Sequence, residues 1–374
     1  MPAVRYLRFA LLAIALVTLL AALWAGLLRL GWHIPSLTAN LAAIHGPLMV
    51  SGFLGTVIGL ERAVALGYRW AYLAPLLSAA GSVLLLGGLP PPAGGLLFCL
   101  SSFVLIVIFG VILKRQSALF TVTSALGAVA WLLGNLLWLS GAALSRVAPW
   151  WMGFLVLTIA GERLELSRLL QLTRWSRALF LVLTVAMLAG LVLGLFDPFN
   201  GSRLFGIGLF GLALWLLNYD LARHTARQRG LARFIGLALL SGYVWLAISG
   251  LLHLGYGAVA GGPAYDAVLH TVFLGFAFVL IFAHAPIIIP AVTGRSIPYR
   301  PGFYSHLALL HVSLLLRLGG GLAGSAVAWQ WGGLLNAVAV LLFLVNTARA
   351  ARAGTREASL RDRASAGTSD LPRR

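Results

Sequence analysis

The sequence predicts an all-α integral membrane protein with twelve transmembrane helices, and three observations support that class. The composition is 60% hydrophobic and 10% charged over 374 residues. Apolar stretches of about 20 residues recur along the chain, and this length crosses roughly 30 Å of hydrocarbon with every backbone group paired. Basic residues also lie on alternate sides of successive stretches, as they do in multi-pass membrane proteins.

The twelve stretches define a membrane domain over residues 1–349. They cover residues 6–30, 38–60, 70–88, 93–113, 117–141, 147–170, 177–196, 203–222, 232–256, 265–290, 302–320 and 327–348. The remaining segment, 350–374, is rich in Arg, Ala, Ser and Gly, and we predict that it is a disordered cytoplasmic tail. The single cysteine, Cys99, lies within an apolar stretch, so a disulfide within the chain is excluded.

The net charge of +18 follows the membrane topology. With the amino terminus in the cytoplasm, all but four of the 27 Lys and Arg residues fall on inner segments. The residues left on the outer side are Arg29, Arg146, Arg203 and Arg317. This asymmetry predicts an inner (cytoplasmic) membrane location with both termini in the cytoplasm. We therefore expect the basic residues to contact the lipid bilayer and not a nucleic acid.

Spans 2, 6 and 10 carry an internal repeat. The residues Gly52, Phe53, Leu54, Ile58, Glu61 and Arg62 recur at identical spacing as Gly153, Phe154, Leu155, Ile159, Glu162 and Arg163. Span 10 holds a fainter copy, in which His284 takes the position of the glutamates. The copies lie four spans apart, which predicts three pseudo-repeated four-helix arcs. The alternatives are two six-helix halves or a chance similarity among membrane helices.

Two histidines lie at matching depth in the outer half of the membrane. His45 is roughly 10 Å below the outer end of span 2, and His270 is roughly 8 Å into span 10. An ionisable side chain in hydrocarbon is costly, so both are candidates for function. Two imidazoles at one depth can hold a haem between them, and Gly52 near His45 would let a porphyrin or another helix come close. For each histidine alone, the alternative is a hydrogen bond to a neighbouring helix or to water.

His253 is a third histidine at comparable depth, near the outer end of span 9. Its side chain is a metal ligand, a hydrogen-bond partner of a haem propionate or an interfacial residue. The sequence contains no Cys-x-x-Cys-His attachment motif, so any haem would be held without a covalent link.

An inner polar set forms the second group of candidates. Three of its members share one repeat position: Glu61, Glu162 and His284. Together with His306 on span 11, they could form a proton relay or a metal-binding set. The alternative is that the two glutamates form ion pairs with Arg62 and Arg163 at the inner headgroup boundary.

These residues resemble those of two related groups. Twelve helices in three arcs, with histidines on spans 2 and 10, resemble subunit I of the haem-copper oxidases and nitric oxide reductases. The stretches 45–55, 270–290, 293–295 and 309–317 are more similar to the NnrS family, multi-span proteins associated with haem, copper and nitric oxide stress. The resemblance implies a b-type haem ligated by His45 and His270, with copper as a second candidate metal.

Two departures limit what the resemblance implies. Spans 6 and 7 contain no histidine, although the oxidases need three copper-ligating histidines there, and Val268 stands where they have their high-spin haem ligand. We therefore expect no oxygen- or nitric oxide-reducing centre of the usual form, and no independent oxidase or reductase. The expected role is in electron transfer, in nitric oxide or metal stress, or in respiratory complex assembly, with respiratory-chain or denitrification membrane proteins as partners. The alternatives are a proton- or cation-coupled transporter that uses buried His and Glu, and a non-catalytic structural membrane protein.

Overall fold

The structure, a computed structural model, describes the backbone of residues 2–36, 38 and 40–369, and the side chains of these residues from 4 to 355. Over this part of the chain the protein is helical and contains no strand, and twelve helices are long and apolar enough to cross a membrane. They are numbered α1 to α12 and cover Val4–Arg29, His45–Leu66, Arg69–Leu86, Pro91–Arg115, Leu119–Leu139, Leu144–Leu170, Arg174–Leu193, Pro198–Tyr219, Gly230–Tyr256, Gly262–Thr293, Phe303–Leu322 and Ala326–Thr355. The chain is therefore an all-α, multi-pass membrane protein, as the sequence predicts.

The ends of two helices differ from the predicted spans. The second span was predicted from residue 38, whereas residues 40–44 form turns and α2 begins at His45. The helix that contains α12 continues to Ser369, where a disordered tail was predicted from residue 350. Ala and Arg are among the best helix formers, so a tail rich in both can extend an existing helix. Residues 370–374 of the predicted tail lie outside the described residues.

Helices α2, α6 and α10 form the centre of the bundle. In an 18-residue stretch of each, 61, 72 and 67% of the residues are buried, whereas the other nine described spans have 33–50%. Helix α10 packs against both α2 and α6, and the rings of Phe53 and Phe278 stack at 5.9 Å across the contact between α2 and α10. The repeat found on spans 2, 6 and 10 therefore lies on the three central helices.

Successive described spans alternate in direction, so the start of α1 and the end of α12 lie on one side of the bundle, called the terminal face below. The loops between α1 and α2 and between α9 and α10 lie on the other side, called the opposite face. His45 and His270 lie near the opposite face, because each stands close to the start of a helix that begins there.

A buried polar network joins α2 to α4, α5 and α6. Asn135 Oδ1 accepts hydrogen bonds from Ser51 Oγ at 2.7 Å and from Trp151 Nε1 at 3.0 Å. Its amide group donates to the Phe98 carbonyl oxygen at 3.1 Å, and Trp131 Nε1 donates to Ser51 Oγ at 3.0 Å. Because hydrocarbon offers no alternative partners, such a network fixes the relative position of the helices that contribute to it.

Asn135→Leu is expected to lower the free energy of unfolding by about 1–3 kcal/mol, because it leaves Ser51 and Trp151 without an acceptor. Equilibrium unfolding in mixed detergent measures the change. Asn218→Leu is the matched control, since Asn218 is exposed and its side-chain amide donates to the Leu214 carbonyl oxygen of the same helix. An equal loss in the two variants would contradict a structural role of the network.

Two central helices contain π-helical turns beside their histidines. The turns cover Leu48–Leu54 in α2 and Thr271–Phe278 in α10, and they follow His45 and His270. π-helical turns are rare and are frequent at functional sites, because the extra residue changes the direction of the side chains around it. The corresponding part of α6 is a regular α-helix.

Candidate functional site

A cavity lies near the opposite face, between α1, α2, α6, α10, α11 and α12. It has a volume of about 550 Å³ and is lined by both His45 and His270. Its walls are mostly apolar, with Leu23, Met49, Val50, Trp151, Leu269, Phe273 and Phe278 among the lining residues. A cavity of this size, apolar and with few polar groups, is typical of a small-molecule or cofactor site.

His45 is held in one orientation by α1. Its Nδ1 lies 2.7 Å from the Ala22 carbonyl oxygen, which can only accept a hydrogen bond, so Nδ1 carries the proton. Gly26 provides the space for the ring, because a Cβ at Gly26 would lie 2.9 Å from His45 Cε1. The second ring nitrogen, Nε2, has no hydrogen-bond partner among the described residues. Its lone pair is therefore free for a ligand.

His270 has the same arrangement on α10. Its Nδ1 donates to the carbonyl oxygen of Asp266 at 2.8 Å and lies 3.2 Å from Oδ1 of the same residue. Within the described part of the chain, its Nε2 also has no hydrogen-bond partner. Histidines that ligate metals usually donate their other ring nitrogen to a carbonyl or carboxylate, because this bond fixes the ring and makes the ligand more basic.

The carboxylate of Asp266 is part of a buried ion pair that links α10 to α11 and α12. Arg317 donates to its two oxygens at 2.7 and 2.8 Å, and Trp329 Nε1 donates to Oδ2 at 2.9 Å. Both charged side chains are largely buried, with 9% of Arg317 and 15% of Asp266 exposed. Neither Asp266 nor Arg317 was predicted as a component of the site. The spacing of four residues between Asp266 and His270, which places them one helical turn apart, was the available signal.

Several polar residues of the cavity lie toward the opposite face. Arg29, Tyr265, Asp266 and Arg317 line it there, and the side chain of Arg29 is exposed. The cavity therefore combines mostly apolar walls with one exposed cationic side chain, that of Arg29.

Two predicted cofactor-binding residues lie elsewhere. Gly52 faces α1 and α3, because a Cβ there would lie 2.9 Å from Thr18 Cγ2 and 2.5 Å from Ser82 Oγ. In a regular α-helix Gly52, seven residues after His45, would lie on nearly the same face, and the π-helical turn of α2 changes this relation. His253 lines a separate cavity of about 270 Å³, which shares Ala260, Tyr265 and Leu269 with the first cavity.

The structure does not bring the inner set together as a metal site. Among the described residues, no three of His, Cys, Asp and Glu lie close enough together to hold a metal ion. His284 Nδ1 bonds to the Leu280 carbonyl at 2.8 Å. His306 is 1% exposed and lies among aromatic rings, with Phe282 at 4.8 Å and Phe343 at 5.4 Å. Aromatic rings therefore form much of the surroundings of His306.

The charged residues of the inner set form ion pairs in an unexpected combination. Arg62 pairs with Glu162 of α6, and its Nη2 lies 3.7 Å from Glu61 Oε1. Arg163 does not pair with the adjacent Glu162. It makes two hydrogen bonds, of 2.8 and 2.9 Å, to the buried carboxylate of Asp220, which follows α8. Neighbouring residues on a helix point about 100° apart, so Glu162 and Arg163 face different helices.

The comparison with known proteins identifies a family without a described activity. No curated protein and no solved structure matches this chain. The model of the family described as a domain of unknown function, DUF8744, matches residues 8–352, a range that includes both histidines of the cavity and nearly all of the twelve helices. The chain therefore belongs to the DUF8744 family.

Proposed function

We propose that this chain is an integral membrane haem-binding protein, in which His45 and His270 would hold a non-covalent b-type haem. One observation carries the proposal. Both imidazoles line a single cavity, and each donates its Nδ1 proton to a carbonyl oxygen and keeps its Nε2 lone pair free. Neutral imidazole with a free nitrogen is the form that ligates iron.

The lining of the cavity fits this cofactor. The apolar walls suit the body of the macrocycle, and the volume of about 550 Å³ lies in the usual range for cofactor sites. Arg29 at the polar end is exposed and would pair with a propionate. The carboxylate of Asp266 is already neutralised by Arg317, so it adds no uncompensated negative charge beside the acidic edge of the ligand.

We assign a role in electron transfer to this site. Bound haem would supply one-electron chemistry, and the protein would set its position and surroundings. If both His45 and His270 held the haem, its chemistry would favour electron transfer over the reduction of oxygen or nitric oxide. His270 is oriented by Asp266, and the apolar walls exclude water.

The cellular setting belongs to the same proposal. The arginine-rich terminal face would lie in the cytoplasm and the cavity near the outer side of the inner membrane, as the positive-inside rule requires. Respiratory-chain or denitrification membrane proteins are the proposed electron partners. The response to nitric oxide or metal stress and the assembly of a respiratory complex are the processes that such a site would serve.

The absorption spectrum of the purified full-length protein tests the proposal. We expect a Soret band, and paired α and β bands on reduction, with about one haem per chain by pyridine haemochrome. His45→Ala and His270→Ala should each remove these bands. His253→Ala is the matched control, because His253 has the same Nδ1 bond to a carbonyl but lies in the other cavity, and it should leave them unchanged.

Three results would contradict the haem site. A colourless preparation that takes up no added haemin would do so, as would bands that survive both substitutions. Proton-coupled uptake by vesicles that contain colourless protein would instead support a transporter. Metal analysis of the same sample determines whether copper accompanies the iron.

A further inference from the structure

The second cavity has a size and a lining that differ from those of the first. It has a volume of about 270 Å³ and lies near the opposite face, between α6, α7, α8, α9 and α10. Trp150, Met152, Leu191 and Phe205 contribute apolar walls. This space is about half that of the first cavity, so it suits a single substituted ring and not a macrocycle.

One buried polar side chain is presented to this cavity. His253 is 3% exposed, and its Nδ1 donates to the Ser249 carbonyl oxygen at 2.9 Å. In the neutral ring Nε2 is then a hydrogen-bond acceptor, and it has no partner in the part of the chain that is described. Nε2 therefore has a free lone pair on a side chain that lines an apolar cavity, and this arrangement points to a ligand that donates a hydrogen bond.

The His253 ring is also rigidly held. Gly206 lets α8 approach α9 closely at this point, since a Cβ there would lie 2.7 Å from the His253 Cβ and 2.8 Å from the Gly250 carbonyl oxygen. The ring of Phe205 meets the imidazole edge-on, with the ring centres 5.2 Å apart. The acceptor therefore has a fixed position, which a specific site needs.

We propose that this cavity binds the head group of a lipophilic phenol or hydroquinone, whose hydroxyl donates a hydrogen bond to His253 Nε2. The ring of the ligand packs against Phe205 and Trp150. Arg146 and Tyr265 also line the cavity and are the donors available to a second ring oxygen. A fatty acyl chain lacks the donor that His253 requires, and an inorganic anion would have to leave water for mostly apolar walls.

The inference goes beyond the haem proposal and does not depend on it. Ligand binding is measured on the protein whether or not a Soret band is present, so failure of one proposal is distinguishable from failure of the other. The two cavities share Ala260, Tyr265 and Leu269, so a ring in the second cavity would lie beside any ligand in the first.

Binding of four probes to the full chain in nanodiscs, under argon, tests the site. The probes are decylhydroquinone, 4-decylphenol, the dimethyl ether of decylhydroquinone and decylbenzene. Equilibrium dialysis gives the affinity, and quenching of tryptophan fluorescence, with Trp150 in the cavity wall, gives a second measure. We expect saturable binding of the hydroquinone, and affinities for the ether and the hydrocarbon that are lower by about tenfold or more.

Variants locate the binding in this cavity. His253→Phe should weaken hydroquinone binding by about tenfold or more and leave binding of the ether unchanged. Val259→Trp, in the loop that lines the cavity, should block both probes by filling the space, and it keeps the test valid if the first variant fails to fold. His224→Phe is the control, because His224 is exposed and lines neither cavity. It should leave the affinities for the hydroquinone and its ether unchanged.

The outcomes are distinct. Equal affinity for the hydroquinone and its ether, hydroquinone binding that resists both variants, or no saturable binding would overturn the proposal. If 4-decylphenol binds as tightly as the hydroquinone, one hydroxyl is sufficient and the ligand is a phenol. If it binds more weakly, the second oxygen is recognised as well and the ligand is a hydroquinone.

Discussion

Asp266→Ala is expected to lower the free energy of unfolding by about 3–5 kcal/mol, because it leaves the Arg317 guanidinium buried without a counter-charge. The guanidinium makes two hydrogen bonds to this carboxylate, and Trp329 donates a third. The substitution also removes an oxygen that lies 3.2 Å from His270 Nδ1. Equilibrium unfolding in detergent measures the loss of stability, and haemin titration measures the effect on the proposed ligand.

A double variant separates these two effects. Asp266→Leu combined with Arg317→Met replaces the ion pair with apolar groups, and such replacements of buried pairs are often neutral or stabilising. We therefore expect its stability to return close to that of the natural protein. Its affinity for haemin should remain reduced by about 10–100-fold, because the carboxylate partner of His270 is still absent. Full recovery of affinity would show that Asp266 has only a structural role.

Asp220→Ala is expected to have a comparable effect on stability at the terminal face. Arg163 is 5% exposed and Asp220 is 1% exposed, so loss of the carboxylate isolates a buried charge, at a cost of about 3–5 kcal/mol. Asp220 also accepts a hydrogen bond from the backbone N–H of Ala222 at 2.6 Å, where the chain turns between α8 and α9. Unfolding experiments under the same conditions measure this loss.

Glu165→Ala is the matched control for the second prediction. Glu165 lies on the same helix as Arg163 and pairs with Arg168, with 3.3 Å between Glu165 Oε1 and Arg168 Nη2. This pair is exposed, with 42% of the Glu165 side chain and 54% of the Arg168 side chain accessible. Exposed pairs contribute about 0–1 kcal/mol, so the control should change stability very little. If Asp220→Ala and Glu165→Ala lowered the free energy of unfolding by similar amounts, burial of the Arg163–Asp220 pair would not explain the effect.

The spans could be predicted from the sequence for physical reasons, whereas the central position of α2, α6 and α10 was found only in the structure. Hydropathy and span length determine which segments enter the bilayer, and both are properties of single segments. The repeat lies on helices with many small residues, which pack closely at the centre of the bundle. Gly161 is an example, because a Cβ there would lie 2.8 Å from the Phe120 carbonyl oxygen of α5.

The ion pairs could not be read from the sequence in the same way. Arg163 stands next to Glu162, yet it binds Asp220, which is 57 residues away in the chain. The choice of partner depends on which helix lies against each face, and this follows only from tertiary packing. The position of Gly52 was misjudged for a related reason, because a π-helical turn changes which residues share a face and leaves no clear pattern in the sequence.

The side chain of Tyr265 stands in the wall between two chambers. A molecule that displaces this ring in one chamber alters the shape of the other. Thermodynamic linkage makes this effect reciprocal. If a ligand in one chamber changes the affinity of the other chamber for its ligand by some factor, the second ligand changes the affinity for the first by the same factor. Titration of either occupant, at fixed amounts of the other, therefore measures the cooperativity of the pair.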